Sequence, residues 1–247
     1  MHISRFIGHA AAAAALLLAM PLRAADAPQP ADLDLSIRYY SRVLTPEGVL
    51  RESRYEEKML RRQNHVWTVR LLPKQVTHAE DHADKPRATT IKATSNQAAT
   101  HEHKHFNYVV LPRHVVRDGD KVKLEFVDFH DRAVVSIAPS EYENVNFDGS
   151  WNNAFFIVDP KQVVTLPLSN KTSSVAGARW REREKDGVFQ RVLWDEKRMI
   201  PLVIETGNRQ ETFFQRIEAE PQSKLVAALP WLDLKGYAQK EYADFLD

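Results

Sequence analysis

Along most of the chain, apolar and polar residues alternate in short runs with a period of two, the pattern of strands buried on one face. The clearest run is Lys121 to Phe126, where Val122, Leu124 and Phe126 point one way and Lys121, Lys123 and Glu125 the other. It follows the turn signal Asp118-Gly119-Asp120 and, across Phe129-His130-Asp131, meets a second apolar run from Ala133 to Ile137. This predicts a hairpin. Val188 to Trp194 and Met199 to Glu205 form a similar pair, bent at Asp195-Glu196-Lys197-Arg198. Thr206-Gly207-Asn208 then turns the chain into Glu211 to Ile217, which completes an antiparallel meander.

Asn64 to Leu72, with Trp67, Val69 and Leu71 on one side, predicts a further strand. From Val49 to Arg62 two readings compete. Thr45 and Pro46 fit a helix start, and the composition suits a helix. Gly48 would then fall in the first turn, and the apolar residues make no stripe at helical spacing, so a strand is favoured. The stretch from Ser140 to Trp151 reads as a turn-rich connection, with a binding mouth as the alternative. The tail carries Pro230, Trp231, Leu232, Tyr237, Tyr242, Phe245 and Leu246. It is expected to form a helix from Leu234 and to dock onto the sheet, in preference to serving as a partner-binding peptide.

The N-terminus has a different character. Arg5, an apolar run from Ala10 to Met20 and small residues at Ala24, Ala25 and Ala27 fit a secretory signal peptide. The run is about half the ~20 residues a membrane span needs. The expected organisation is a signal peptide over 1–24, a linker over 25–32 and a β-sheet domain over 33–220. That domain carries a polar, His-containing insertion at 73–105, and an aromatic tail follows over 221–247. The expected location is the periplasm.

Composition narrows the function. There is no cysteine, which excludes lipidation at a cysteine, disulfides, c-type haem attachment and thiolate catalysis. Without residues 1–24, basic and acidic residues nearly balance, so no general electrostatic footprint for nucleic acid remains. The eight glycines form no phosphate-cradling loop, dinucleotide fingerprint or nucleophile elbow. No catalytic residues are assigned and no enzyme is expected.

The most pointed chemistry is histidine. In His101-Glu102-His103-Lys104-His105, an extended strand would present all three imidazoles on one face. His78 and His82, four apart, would share a face of a helix. Imidazole with nearby carboxylates and no thiol suits Zn or Cu. The alternatives are adventitious capture and a merely solvated loop, so no cofactor is required. His114 and His130, in or beside strands, read as histidines satisfied by hydrogen bonds.

Taken in order, the strand pair around "LTPEGVLRESRYEEKMLRRQNHVWTVRLLP", the hairpin "RDGDKVKLEFVDFHDRAVV" and the late pair "VLWDEKRMIPLVIETGNRQETFFQRIE" resemble the LolA/LolB lipoprotein-carrier superfamily. The likeness is nearest to its RseB-type periplasmic regulators. Trp194, Asp195, Pro201, Leu202 and Gly207 fit the order of the family's late strand pair, whereas the His-bearing insertion and the aromatic tail depart from the pattern. The resemblance implies a mainly β, α+β fold: a strongly curved antiparallel sheet, or half-open β-barrel, with a few helices plugging its concave side. It also implies an apolar cavity. Candidate lining residues are Trp67, Leu71, Leu124, Phe126, Phe155, Leu202, Phe213 and Ile217, for each of which plain core is the favoured reading and ligand contact the alternative. The partners implied are an acyl chain, a lipoprotein or an envelope protein. The competing functions are a metal-binding accessory using the histidines and a structural or regulatory module docked on an envelope complex.

Overall fold

The computed structural model of the protein describes residues 30–73 and 106–245. The signal-peptide and linker expectations up to residue 29, and the histidines at 78, 82, 101, 103 and 105, lie outside the described residues.

Eleven strands form one sheet: β1 (Leu33–Leu44), β2 (Leu50–Arg62), β3 (His65–Leu71), β4 (Arg113–Asp118), β5 (Lys121–Asp128), β6 (Ala133–Ile137), β7 (Ala178–Lys185), β8 (Val188–Asp195), β9 (Ile200–Asn208), β10 (Phe213–Pro221) and β11 (Ala238–Glu241). Their spatial order is β11-β6-β5-β4-β3-β2-β1-β10-β9-β8-β7. Every pair is antiparallel except β11 with β6. Two runs of hairpins, β1 to β6 and β7 to β10, are thus joined where β1 pairs with β10, with Leu35 opposite Pro221 and Val43 opposite Phe213.

The sheet is open and strongly curved. From β6 to β9 there are seven interstrand steps, about 34 Å if flat, yet Ile137 of β6 and Ile200 of β9 belong to the same buried cluster. What joins them is a plug on the concave side. It consists of a 3-10 turn (Pro139–Val145), α1 (Trp151–Phe156) and α2 (Pro160–Val163). Ser150 starts α1 by accepting the Asn153 N–H at 3.1 Å. Phe155, Tyr142, Val145 and Phe147 then pack on Leu35, Ile37, Val115, Leu124 and Phe126. A second concave cluster joins Val163 and Leu166 to Val192 and Trp194.

Residues 50–62 are therefore strand. The β8–β9 bend lies where the sequence places it: Asp195, 1% exposed, accepts N–H bonds from Lys197 and Arg198, both at 3.0 Å. Pro201 stands opposite Trp194 at a register shift, the kind of site that tolerates the missing N–H of proline within a sheet. Two expectations need correction. Gly207 does not turn the chain; it is an interior residue of β9, flanked by Phe189 on β8 and Phe214 on β10. The turn comes later, held by Asn208 Oδ1, which accepts the Thr212 N–H at 2.9 Å.

Nor does the tail form a helix from Leu234. It makes a 3-10 turn (Pro230–Asp233), the edge strand β11 and a second 3-10 turn (Tyr242–Phe245). Its large side chains are spaced to wrap an edge, not to make a helical stripe. Trp231, Leu234 and Tyr237 pack on a convex-face cluster of Leu60, Trp67, Val127 and Val134. Past β11, Tyr242 and Phe245 pack on Phe106 with ring centroids 5.4 and 5.2 Å apart.

Candidate functional site

Strand alternation and register sort the candidate lining residues onto two faces. Leu124, Phe126 and Phe155 face the plug and are buried in the main core, with 4% exposure at most. Trp67 and Leu71 lie on the other face. Trp67 is buried beneath the tail, and Leu71 is 39% exposed at the end of β3. The eight residues therefore do not line one cavity.

Three of them do come together. Ile217 stands opposite Tyr39 on β1 and Ile204 on β9, Phe213 stands opposite Val43, and Leu202 follows two residues before Ile204 on the same face. All lie on the concave side, continuous with the core. Tyr39, Leu202, Ile204, Phe213 and Ile217 are only half-buried, and Val43 is 42% exposed. Among the described residues, the plug covers β1 near Leu33, Leu35 and Ile37 and leaves this apolar stretch of β1, β10 and β9 incompletely covered.

Aromatic and charged side chains border the stretch. Tyr39 and Tyr55 stack at 4.4 Å between centroids, and the Arg70 guanidinium lies 3.8 Å from the centre of the Tyr55 ring. Burial, then the neighbouring Glu57 carboxylate, pushes both phenols above their usual range, so both remain neutral. The two tyrosines border two recesses. One, of about 600 Å³, is also lined by Leu72, Pro73 and, from the convex face, by Tyr40, Leu71 and the ion-paired Arg38. The other, of about 240 Å³, takes in Arg70, Tyr108, Leu111, Arg113 and Phe126. Beside the half-covered stretch, the second recess can take an apolar chain and present Arg70 and Tyr55 to a polar end. Among the described residues it holds no nucleophile paired with a base.

No protein-family model matches the sequence, and no curated protein matches it. Solved structures with some likeness include the Pseudomonas aeruginosa MucA/MucB complex, 11% identical at a TM-score of 0.37, covering 81% of this chain and 55% of that one. A lipoprotein-sorting protein domain from Vibrio parahaemolyticus is 12% identical at a TM-score of 0.30, covering 78% of this chain and 87% of that one. A PNGF-II structure is 8% identical at 0.37, covering 86% and 32%. The chain thus spans about half the length of the MucA/MucB chain it matches.

Register also assembles a group that sequence reasoning found only in part. His65, His114 and Glu125 sit side by side on β3, β4 and β5, on the convex face. His114, 4% exposed, contacts His65 Nδ1 through Nε2 at 3.0 Å and Glu125 through Nδ1 at 3.2 Å. The expectation of a hydrogen-bonded His114 is met. His130 is almost fully exposed, with Asp131 4.0 Å away. Alternation in "HVW" and "RHV" places His65, Trp67 and His114 opposite the core-facing valines, but their meeting required the pairing order. Among the described residues no group of three or more His, Asp or Glu side chains is arranged to hold a metal ion, and no helix is long and apolar enough to cross a membrane.

Proposed function

We propose that the chain is a non-enzymatic periplasmic binding or carrier protein of the lipoprotein-carrier type. It holds the acyl chain of a lipid or lipoprotein on the open part of its concave face. The observation that supports this reading is the half-covered apolar stretch of Tyr39, Val43, Leu202, Ile204, Phe213 and Ile217, continuous with the core. An apolar patch on a concave surface gains from covering by a ligand, at roughly 25 cal/mol for each Å² removed from water. The absence of any catalytic motif in the sequence agrees with a binding role.

Titration with a fluorescent sixteen-carbon fatty acid tests the proposal. Saturable binding by the wild type, lost in Ile217→Glu while the melting transition is retained, is the expected result. Export is tested by the N-terminal residue of protein recovered from the periplasm. The separate metal reading, for His78, His82, His101, His103 and His105, is tested by Zn(II) and Cu(II) titration against a variant with all five changed to Ala; equal affinity would dismiss it.

A further inference from the structure

The tail is a strap across one end of the sheet, and its attachment is chemically unlike the rest of the core. Trp231 stacks on two histidines at once: 5.1 Å from His65 with the planes 9° apart, and 5.5 Å from His114 with the planes 15° apart. Trp67 closes the group at 5.6 Å from His114 and 6.3 Å from Trp231. Beyond Trp231 the strap is held by Leu234 and Tyr237 on the convex cluster, with Tyr237 beneath the Arg132 guanidinium at 5.0 Å. Four residues of β11 then pair along β6.

One tautomer assignment satisfies both imidazole contacts. Glu125 accepts from His114 Nδ1–H, and His114 Nε2 accepts from His65 Nδ1–H, which leaves His65 Nε2 as the only free ring nitrogen of the pair. The pair has room for one added proton, at that nitrogen. A second would set two N–H groups against each other at 3.0 Å. Two neighbouring cations are already paired. Lys123, two residues before Glu125 on the same face of β5, is paired with Asp118. Arg62, opposite His65 on β2, is paired with Asp34 and Asp32. Asp233 and Lys235 flank the docked turn on the strap side, and His130 and Asp131 belong to the β5–β6 turn.

We propose that His65, His114 and Glu125 form a proton-sensitive latch that holds the strap through Trp231 while His65 is neutral and loosens it on acidification. Loosening uncovers the edge of β6, whose Ala133, Val134, Val135 and Ile137 are all buried, together with Trp67 and Val127 beside it. An unpaired apolar strand edge is a template for pairing with another chain. The direction of the response agrees with the environment of His65: burial first, then the adjacent His114, push its imidazole below the ordinary 6.5, with Glu125 opposing. With the strap released, His65 regains solvent. Docking is therefore fully favoured above pH about 6.5 and weakens as pH falls through the lower value of the docked state.

Hydrogen exchange of the full chain, followed by mass spectrometry from pH 7.5 to 5.0 and corrected for intrinsic rates, tests this. The expected result is a roughly three- to tenfold loss of protection in residues 230–245. Protection in β1 and β10 should persist. His65→Gln should flatten the response, and Trp231→Ala should leave the strap unprotected already at pH 7.5. A pH-independent strap, an unchanged response in His65→Gln, or loss of β1 and β10 protection over the same range would overturn the latch. Should His65→Gln fail to fold, NMR titration of the wild type decides: strap signals must move with the His65 midpoint, and movement at any other pH contradicts the proposal.

Discussion

Arg61 is the largest of the fully buried side chains, 1% exposed on the concave face of β2. Its Nη2 donates to the carbonyls of Ala31 and Arg198, at 3.1 and 2.9 Å, and its guanidinium lies 4.9 Å from the Phe155 ring centre. Nε and Nη1 have no partner among the described residues. Burial pushes the group down to about 10, with Asp32 opposing, so it stays charged at neutral pH. A buried cation with three of its five N–H donors unused adds little net stability, whereas its stem fills core volume. Urea unfolding should therefore find Arg61→Met within about 1 kcal/mol of wild type and Arg61→Ala destabilised by about 2–4 kcal/mol. A Met variant as unstable as the Ala variant would show that the charge itself is needed. Asp34 is the opposite case. At 2% exposure it accepts from Arg62 Nη1 at 2.6 Å and from the Val226 N–H at 2.6 Å. Asp34→Ala leaves Arg62 with only the longer Asp32 pairing at 3.6 Å and frees the loop leading to the strap, at an expected cost of about 2–4 kcal/mol, measured by the same unfolding.

At the scale of elements, the legible strands were those with clean alternation: β3, β5, β6 and the β8–β10 meander. β2 needed the argument from a missing helical stripe. Gly207 was misread because a glycine after Thr in a polar stretch looks like a turn. Its actual role is a close approach: a Cβ there would come within 2.8 Å of Phe189 Cζ and 3.1 Å of the Phe213 carbonyl oxygen. Gly207→Ala should accordingly lower stability by about 1–3 kcal/mol, and a thermal melt unchanged from wild type would contradict that packing. β7, "ARWREREK", was not assigned because charge dominates it; as the terminal strand of the sheet it needs only one partner and gains from charged side chains. The tail was expected to dock, and it does, but its aromatic spacing serves two faces of an edge and resembles no helical or strand period.

At the scale of the molecule, the least legible feature was the pairing of β1 with β10, residues about 180 positions apart. Alternation shows which side of a strand is apolar without showing which strand lies beside it. Five of the eight candidate lining residues consequently proved to be core or convex-face residues, and the His65–His114–Glu125 group went unassembled. Leu202, Phe213 and Ile217 converge because β9 and β10 are consecutive in both sequence and space, and the β1–β10 pairing adds Tyr39 and Val43 beside them. The proposed role of this stretch, holding an acyl chain, is tested by equilibrium binding of a fluorescent sixteen-carbon fatty acid to wild type, Phe213→Glu and Ile217→Glu, with the fold of each monitored by its melting transition. Saturable binding to the wild type is expected, with at least about tenfold weaker binding to folded variants, equivalent to about 1.4 kcal/mol. No saturable binding, or equal affinity in all three proteins, would contradict it.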